Sequence, residues 1–360
     1  SRGRHRLVCF KPCVGVCRRH CLRCYQSQIS AANFANRENT NFQLVPYGTN
    51  IGLEFFTRTC MSWSPCDAPT SSTRWTRSCF FLGTASHPVY VDHLRPACDG
   101  RHLLPVVMIH GGFHTGVSYL GTPDGRDGWA QLFAARGHAV HVPDWPGHGR
   151  SPGVANLVGL TTHDVATALA TVIAAIGPAI VVAHSAGGPI AWWIAERHPD
   201  KVAAIIGIAP GAPANLLNPL PDDPAAIEAM RHDREAGCPV YSPLDRPVSA
   251  DRSFIDDFWA SSPRFPRDAL ESYAASVVPE SPIVLNERFN VGGRGLQLAS
   301  LSIVGQRPIL IVTGEHDARH PKSVDGALAR HLNADFIWLP DIGLNGNGHM
   351  LMIESNSREI

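Results

Sequence analysis

Acyl transfer needs a nucleophile, a base to take its proton, an acid to orient that base, and donors for the oxyanion. Four short stretches of this sequence carry residues of those types. Ser185 sits in Val181-Val182-Ala183-His184-Ser185-Ala186-Gly187-Gly188-Pro189. A serine on a sharp strand-to-helix turn exposes its hydroxyl, and the turn needs small neighbours because strand and helix nearly touch. Ala183, Gly187 and Gly188 meet that need, although the usual G-x-S-x-G signature has glycine where Ala183 stands. In His110-Gly111-Gly112-Phe113-His114 a glycine pair lets a backbone N–H point into a site. The amides of Gly112 and Ala186 are the candidate oxyanion donors. His349, in Asn345-Gly346-Asn347-Gly348-His349-Met350, is the candidate base. The chain has 18 histidines, so this one is selected by position, in a Gly-rich loop after the last strand. In Gly314-Glu315-His316-Asp317, Asp317 is the candidate acid and Glu315 its rival; Asp341 is a weaker rival, too near His349 in sequence. Each motif has a plainer reading: a helix cap, a Gly-rich turn, a surface acid. A phosphate cradle is disfavoured, because neither G-x-G-x-x-G nor G-K-[ST] occurs here.

Those residues need a sheet that gathers them at its strand ends. From about Cys79, short apolar runs alternate with helical patterns, as in a parallel sheet flanked by helices. The strands read as 104–109, 139–142, 179–183, 203–208, 308–313 and 335–339. Helices read as 128–136, as 162–176 with Thr162 as cap, and through 190–194. The charge-free run 165–183 is long enough to span a bilayer, but Gly177-Pro178 breaks it into a helix and a buried strand. Between Gly211 and Gln306 the alternation stops, and helical patches near 225–235, 253–260 and 266–275 suggest an inserted helical lid. The expected organisation is an irregular Cys/Arg-rich N-terminal segment (1–78), an α/β core (79–211 and 307–360) and the lid (212–306).

With 360 residues and 44% hydrophobic content the chain can bury a sizeable core, and zero net charge gives no reason to expect nucleic acid as partner. The first 24 residues hold seven Lys and Arg, no acid, and Cys9, Cys13, Cys17, Cys21 and Cys24. A zinc site would use Cys21 and Cys24 with Cys13 or Cys17, at a spacing that fits no common zinc module. Disulfides fit better, and an unstructured leader better still. No apolar stretch of a secretory signal follows the basic start. The missing initiator Met suggests a processed chain or a fragment. The reading is of a soluble protein, cytoplasmic or secreted, without membrane span; a homodimer stays open.

From about Cys79 to Ile360 the chain resembles the α/β-hydrolase superfamily. The Ser185, Asp317, His349 order is the superfamily's order. Its oxyanion segment resembles HGGFH, its elbow AHSAG, its acid loop GEHD, and its D-x-P-G-H-G-x-S stretch Asp144-Trp145-Pro146-Gly147-His148-Gly149-Arg150-Ser151. LGTPDGRDGW (120–129) and GNGHMLMIE (346–354) are similar to a small group of bacterial and fungal serine esterases. At least one of these takes its acid from a V-E-P-G stretch; the match here is IAPG, and Ala209 has no carboxylate, which favours Asp317. Relatives continue beyond the base into a final helix, so a chain ending at Ile360 is expected to lose stability. The resemblance implies a mostly parallel, doubly wound sheet and a serine esterase with the triad Ser185, Asp317 and His349. No metal or cofactor is implied. Thioesterase, lactonase and C–C hydrolase chemistry use the same machinery, and a non-catalytic ligand receptor is the alternative outside enzymes. Phe113 and Trp145, with Phe254, Phe258 and Trp259, are candidates to line an apolar acyl pocket, or else pack in the core.

Overall fold

Apolar runs rich in β-branched residues suit strands covered on both faces. The computed structural model describes residues 74–97, 103–233 and 238–360 and places these runs in the middle of one eight-stranded sheet. In chain order its strands are β1 (Trp75–Gly83), β2 (Pro88–Pro96), β3 (Val106–Ile109), β4 (Val140–Pro143), β5 (Ala179–His184), β6 (Val202–Ile208), β7 (Ile309–Thr313) and β8 (Asp335–Trp338). The spatial order is β1-β2-β4-β3-β5-β6-β7-β8. Strands β3 to β8 run parallel, and β1 and β2 are antiparallel to their neighbours. The sheet therefore starts at Trp75, earlier than the boundary at 79. The β1–β2 hairpin escapes an apolar-run reading because most of β1 is exposed and carries Arg77. The N-terminal cysteine run, with its zinc and disulfide readings, lies outside the described residues.

Among the described residues the α-helices of six residues or more are α1 (Trp129–Ala134), α2 (Thr162–Ile176), α3 (Gly187–Arg197), α4 (Pro224–Ala229), α5 (Leu270–Ser276), α6 (Pro282–Arg288) and α7 (Lys322–Leu332). The cap of α2 is Thr161 rather than Thr162. Its hydroxyl accepts from the Asp164 amide while the Asp164 carboxylate accepts from the Thr161 amide, a reciprocal capping box. The α2 residues Val165, Leu169, Val172 and Ile173 are buried with β5 in the main core. Among the described residues no helix is long and apolar enough to cross a membrane.

Between β6 and β7 the chain leaves the sheet to form α4, α5 and α6. It also makes a short helix, Arg252–Phe254, that continues as a π-turn over Ile255–Trp259. Leu220, Ile227, Phe289 and Val291 form a small separate apolar cluster in this segment.

The topology fixes where a site can form. After β3 the chain crosses to β4 on one side, and after β5 it crosses to β6 on the other. The carboxyl ends of the adjacent strands β3 and β5 therefore border a crevice. The pairing of Ile109 with Ala183 sets HGGFH directly beside the Ser185 turn. Close packing there requires Gly188: a Cβ on it would lie 2.6 Å from the Gly211 carbonyl oxygen and 2.8 Å from its nitrogen. Gly188→Ala is expected to destabilise the protein by about 2 kcal/mol, as overpacking against backbone does. Denaturant unfolding measures this; an unchanged midpoint would contradict the packing described.

Candidate active site

Ser185 has φ +51°, a left-handed conformation that costs a non-glycine residue roughly 1–2 kcal/mol. Neighbouring backbone holds it there. Its amide donates to the Ile208 carbonyl at 3.1 Å, and its carbonyl accepts from the Gly188 and Gly211 amides at 2.9 and 2.8 Å. Helix α3 begins two residues later, so the amides of its first turn open toward the serine. Ala183 is fully buried.

The HGGFH segment is tied to the insertion at three points. The Phe113 amide donates to Glu280 Oε2 at 3.1 Å, and its carbonyl accepts from the Val278 amide at 2.9 Å. His114 donates from Nδ1 to the Gly112 carbonyl at 2.7 Å, and its Nε2 lies 2.8 Å from the Tyr273 hydroxyl, which donates to it. The amides of Gly112 and Ala186 have no hydrogen-bond acceptor among the described residues. A Cβ built on Gly112 would lie 3.8 Å from the Ala186 Cβ, so the two candidate donors sit side by side.

Glu280 is wholly buried and also accepts from His148 Nε2 at 3.0 Å and from the Ser281 amide at 2.7 Å. His148 Nδ1 faces the Pro146 carbonyl at 2.9 Å. Both ring nitrogens of His148 face acceptors, so the ring is the doubly protonated donor. Burial opposes its charge, but Glu280 outweighs burial and raises its pKa. Burial likewise opposes ionisation of Glu280, and His148 and the amides of Ser281 and Phe113 outweigh it.

His349 Nδ1 donates to Asp317 Oδ2 at 2.5 Å, and Asp317 Oδ1 accepts from the Arg319 amide at 3.0 Å. Burial opposes the Asp317 charge, yet His349 and then His320 hold its pKa well below the usual carboxylate range. Burial lowers the His349 pKa below that of ordinary histidine, with Asp317 only partly offsetting it. His184 lies against His349, 4.6 Å between ring centres, and donates from Nε2 to its carbonyl at 3.1 Å. The base loop is fixed from behind by buried Glu354. That carboxylate accepts from the Gly348 amide at 2.8 Å, Ser262 Oγ at 2.6 Å and Asn347 Nδ2 at 2.7 Å. Residues 351–359 form successive turns that Arg126 and Trp129 anchor. Arg126 donates to the Ile353 carbonyl and Trp129 Nε1 to the Ser357 carbonyl, both at 2.9 Å. The LGTPDGRDGW and GNGHMLMIE stretches thus form one structural unit.

The rival acids lie elsewhere. Glu315 is 3.0 Å from His316 Nε2 at the surface, and Asp341 pairs with Lys322 at 2.8 Å. Trp145 is not a pocket residue: it is completely buried and its ring stacks on His110 at 4.7 Å. Phe113, Phe254 and Trp259 do line a cavity of about 170 Å³ that also borders Gly112, Ser185, Ala186 and His349. Phe258 packs beneath Arg319. Asp317, His320 and His349 offer ligand atoms within 4.8 Å of one another. His320 Nδ1 is, however, 3.0 Å from Asp325 Oδ1, so this cluster reads as two neighbouring Asp–His pairs, and a metal would have to displace the Asp317–His349 proton. Glu280 carries no sequence signal beyond being an acid in otherwise apolar surroundings, whereas Glu354 closes the GNGHMLMIE stretch.

The model of the Alpha/beta hydrolase family matches residues 106–360. The chain is 24% identical over 344 residues to "Probable secreted lipase phiG" of Fungal sp., covering 79% of this chain and 86% of the relative. It is 32% identical over 162 residues to the pyrethroid hydrolase of Sphingobium wenxiniae, covering 42% and 50%. Among solved structures it is similar to the esterase EaEST of Exiguobacterium antarcticum (TM-score 0.54, 17% identity, 78% of this chain and 94% of that one). At these identities the structural likeness speaks to fold.

Glu280→Ala leaves His148 as an uncompensated buried charge and frees the Phe113 amide. The expected cost is about 3–5 kcal/mol of stability. Thermal unfolding measures it, and a loss within experimental error would contradict the network.

Proposed function

The chain belongs to the Alpha/beta hydrolase family, and from that premise we propose that it cleaves carboxylic esters through an acyl-enzyme on Ser185. The observation that carries this reading is the Asp317–His349 hydrogen bond at 2.5 Å, in a cavity wall shared with Ser185. With Nδ1 committed to Asp317, His349 keeps Nε2 for proton transfer. It takes the Ser185 proton, and Oγ attacks the acyl carbonyl. The Gly112 and Ala186 amides bind the oxyanion, in which charge develops only as the carbonyl becomes tetrahedral. His349 then protonates the leaving alcohol and activates the water that releases the acid. Asp317 stays ionised throughout and stabilises the imidazolium. The relatives named as lipase and as pyrethroid hydrolase support an ester as substrate. The unpartnered amides, the strained serine and the buried dyad together favour catalysis over passive ligand binding.

Turnover of a p-nitrophenyl ester tests the assignment. Ser185→Ala is expected to lower kcat by about 10⁶-fold and Asp317→Asn by about 10⁴-fold, whereas Glu315→Gln leaves it unchanged. Unchanged turnover in Ser185→Ala would sink the scheme. The base must be neutral to act and its pKa is lowered, so kcat/KM should fall only as pH drops through a midpoint below 6.5. A midpoint above 6.5 contradicts the role given to His349.

A further inference from the structure

The cavity beside Ser185 is apolar on one wall and cationic on another. Arg231, Arg288 and Arg319 all border it. Arg231 is answered at the surface by Glu228 at 3.2 Å. The other two guanidinium groups have no ion-pair or hydrogen-bond partner among the described residues. Arg319 is only 8% exposed, and its Nε and Nη2 are buried without a hydrogen-bond acceptor. Its guanidinium carbon lies 4.5, 5.0 and 5.3 Å from the ring centres of Phe258, Phe254 and Phe289. Arg288 lies 4.7 Å over Phe289.

Among the described residues, the nearby carboxylates are already engaged. Asp317 is held by His349 and the Arg319 amide. Asp325 accepts from Thr313 Oγ1 and faces His320. Asp251, on the cavity rim, accepts from the Phe254 amide and Ser253 Oγ. Ring faces attract a guanidinium but accept none of its in-plane N–H bonds. Burial, then the charge of Arg288, lower the Arg319 pKa to about 9. The group therefore stays charged at neutral pH with its donors unmet, which is costly in a protein interior. Arg288 is also close enough to weigh on His349, so this cationic wall adjoins the reacting atoms.

We propose that the cavity takes an ester bearing a second, anionic group remote from the scissile bond, a carboxylate received by Arg319 with Arg288 beside it. Guanidinium and carboxylate match as paired donors and acceptors. The carboxylate would fill the one demand that the aromatic cage leaves open, while the cage covers the chain leading to it. This assignment rests on the serine-esterase reading and narrows it to a substrate class.

The test compares kcat/KM for p-nitrophenyl hydrogen adipate and p-nitrophenyl hexanoate, which place charge or a methyl group at the end of similar acyl chains. A second pair places the carboxylate on the alcohol: 6-acetoxyhexanoate against hexyl acetate. At least a tenfold preference for the anionic ester in either pair is expected. Arg319→Met should lower that ratio by tenfold or more, and Arg319→Lys should restore part of it. Turnover of the neutral esters with no anionic preference in either pair overturns this inference and leaves the parent reading intact. So does a preference that survives in folded Arg319→Met. Failure of the wild type on all four esters overturns both readings. The wild-type comparison needs no variant, so a misfolded Arg319→Met does not weaken the test.

Discussion

The left-handed backbone at Ser185 is the constraint on which the rest of the site depends. A serine does not stay at φ +51° by preference. It stays because β5 and α3 are pinned on either side and the Ser185 carbonyl is shared between two glycine amides. The same pinning leaves no room for side chains. A Cβ at Gly111 would lie 3.0 Å from the Ser185 Cβ and 2.8 Å from His184 Nδ1. The glycine-rich character of both motifs is thus one consequence of two loops and a helix meeting within a few ångströms.

A second layer of order comes from buried charge. Glu280 belongs to the insertion, His148 to the turn after β4, and Phe113 to the loop after β3, and one hydrogen-bonded group joins all three. Asp144 does similar work nearby, accepting from the Gly116 and Arg150 amides and from the Arg150 side chain. Buried ion pairs are a weak source of net stability but are costly to break on one side. Their effect here is geometric: the candidate oxyanion loop has one well-defined path, and the inserted segment helps to set it.

The inner parallel strands were legible in the sequence because burial on both faces writes a continuous apolar run. The β1–β2 hairpin was not, because β1 lies at the sheet edge, is mostly exposed and carries charge. Ser185, Asp317 and His349 could be picked out as candidates because each follows a strand in chain order. The sequence already favoured Asp317 over Glu315, and the structure adds the contact: both follow β7, but Asp317 meets His349 while Glu315 lies against His316. Trp145 stayed open between pocket and core for a related reason, since an aromatic next to a motif gives no sign of which way its ring points. Glu280 and Arg319 draw their meaning from partners far away in sequence, and no local pattern announces that. The two stretches that drew the narrower family resemblance are joined through Arg126 and Trp129, which gives a physical reason for them to occur together.

The account stands on Ser185 being an activated nucleophile rather than a serine in a turn. Labelling the folded protein with a fluorophosphonate and locating the adduct by peptide mass spectrometry tests that directly. The account predicts a single stoichiometric adduct on Ser185 that forms far more slowly when His349 is replaced by alanine. An unlabelled protein, or labelling of Ser185 at the same rate without His349, would contradict it.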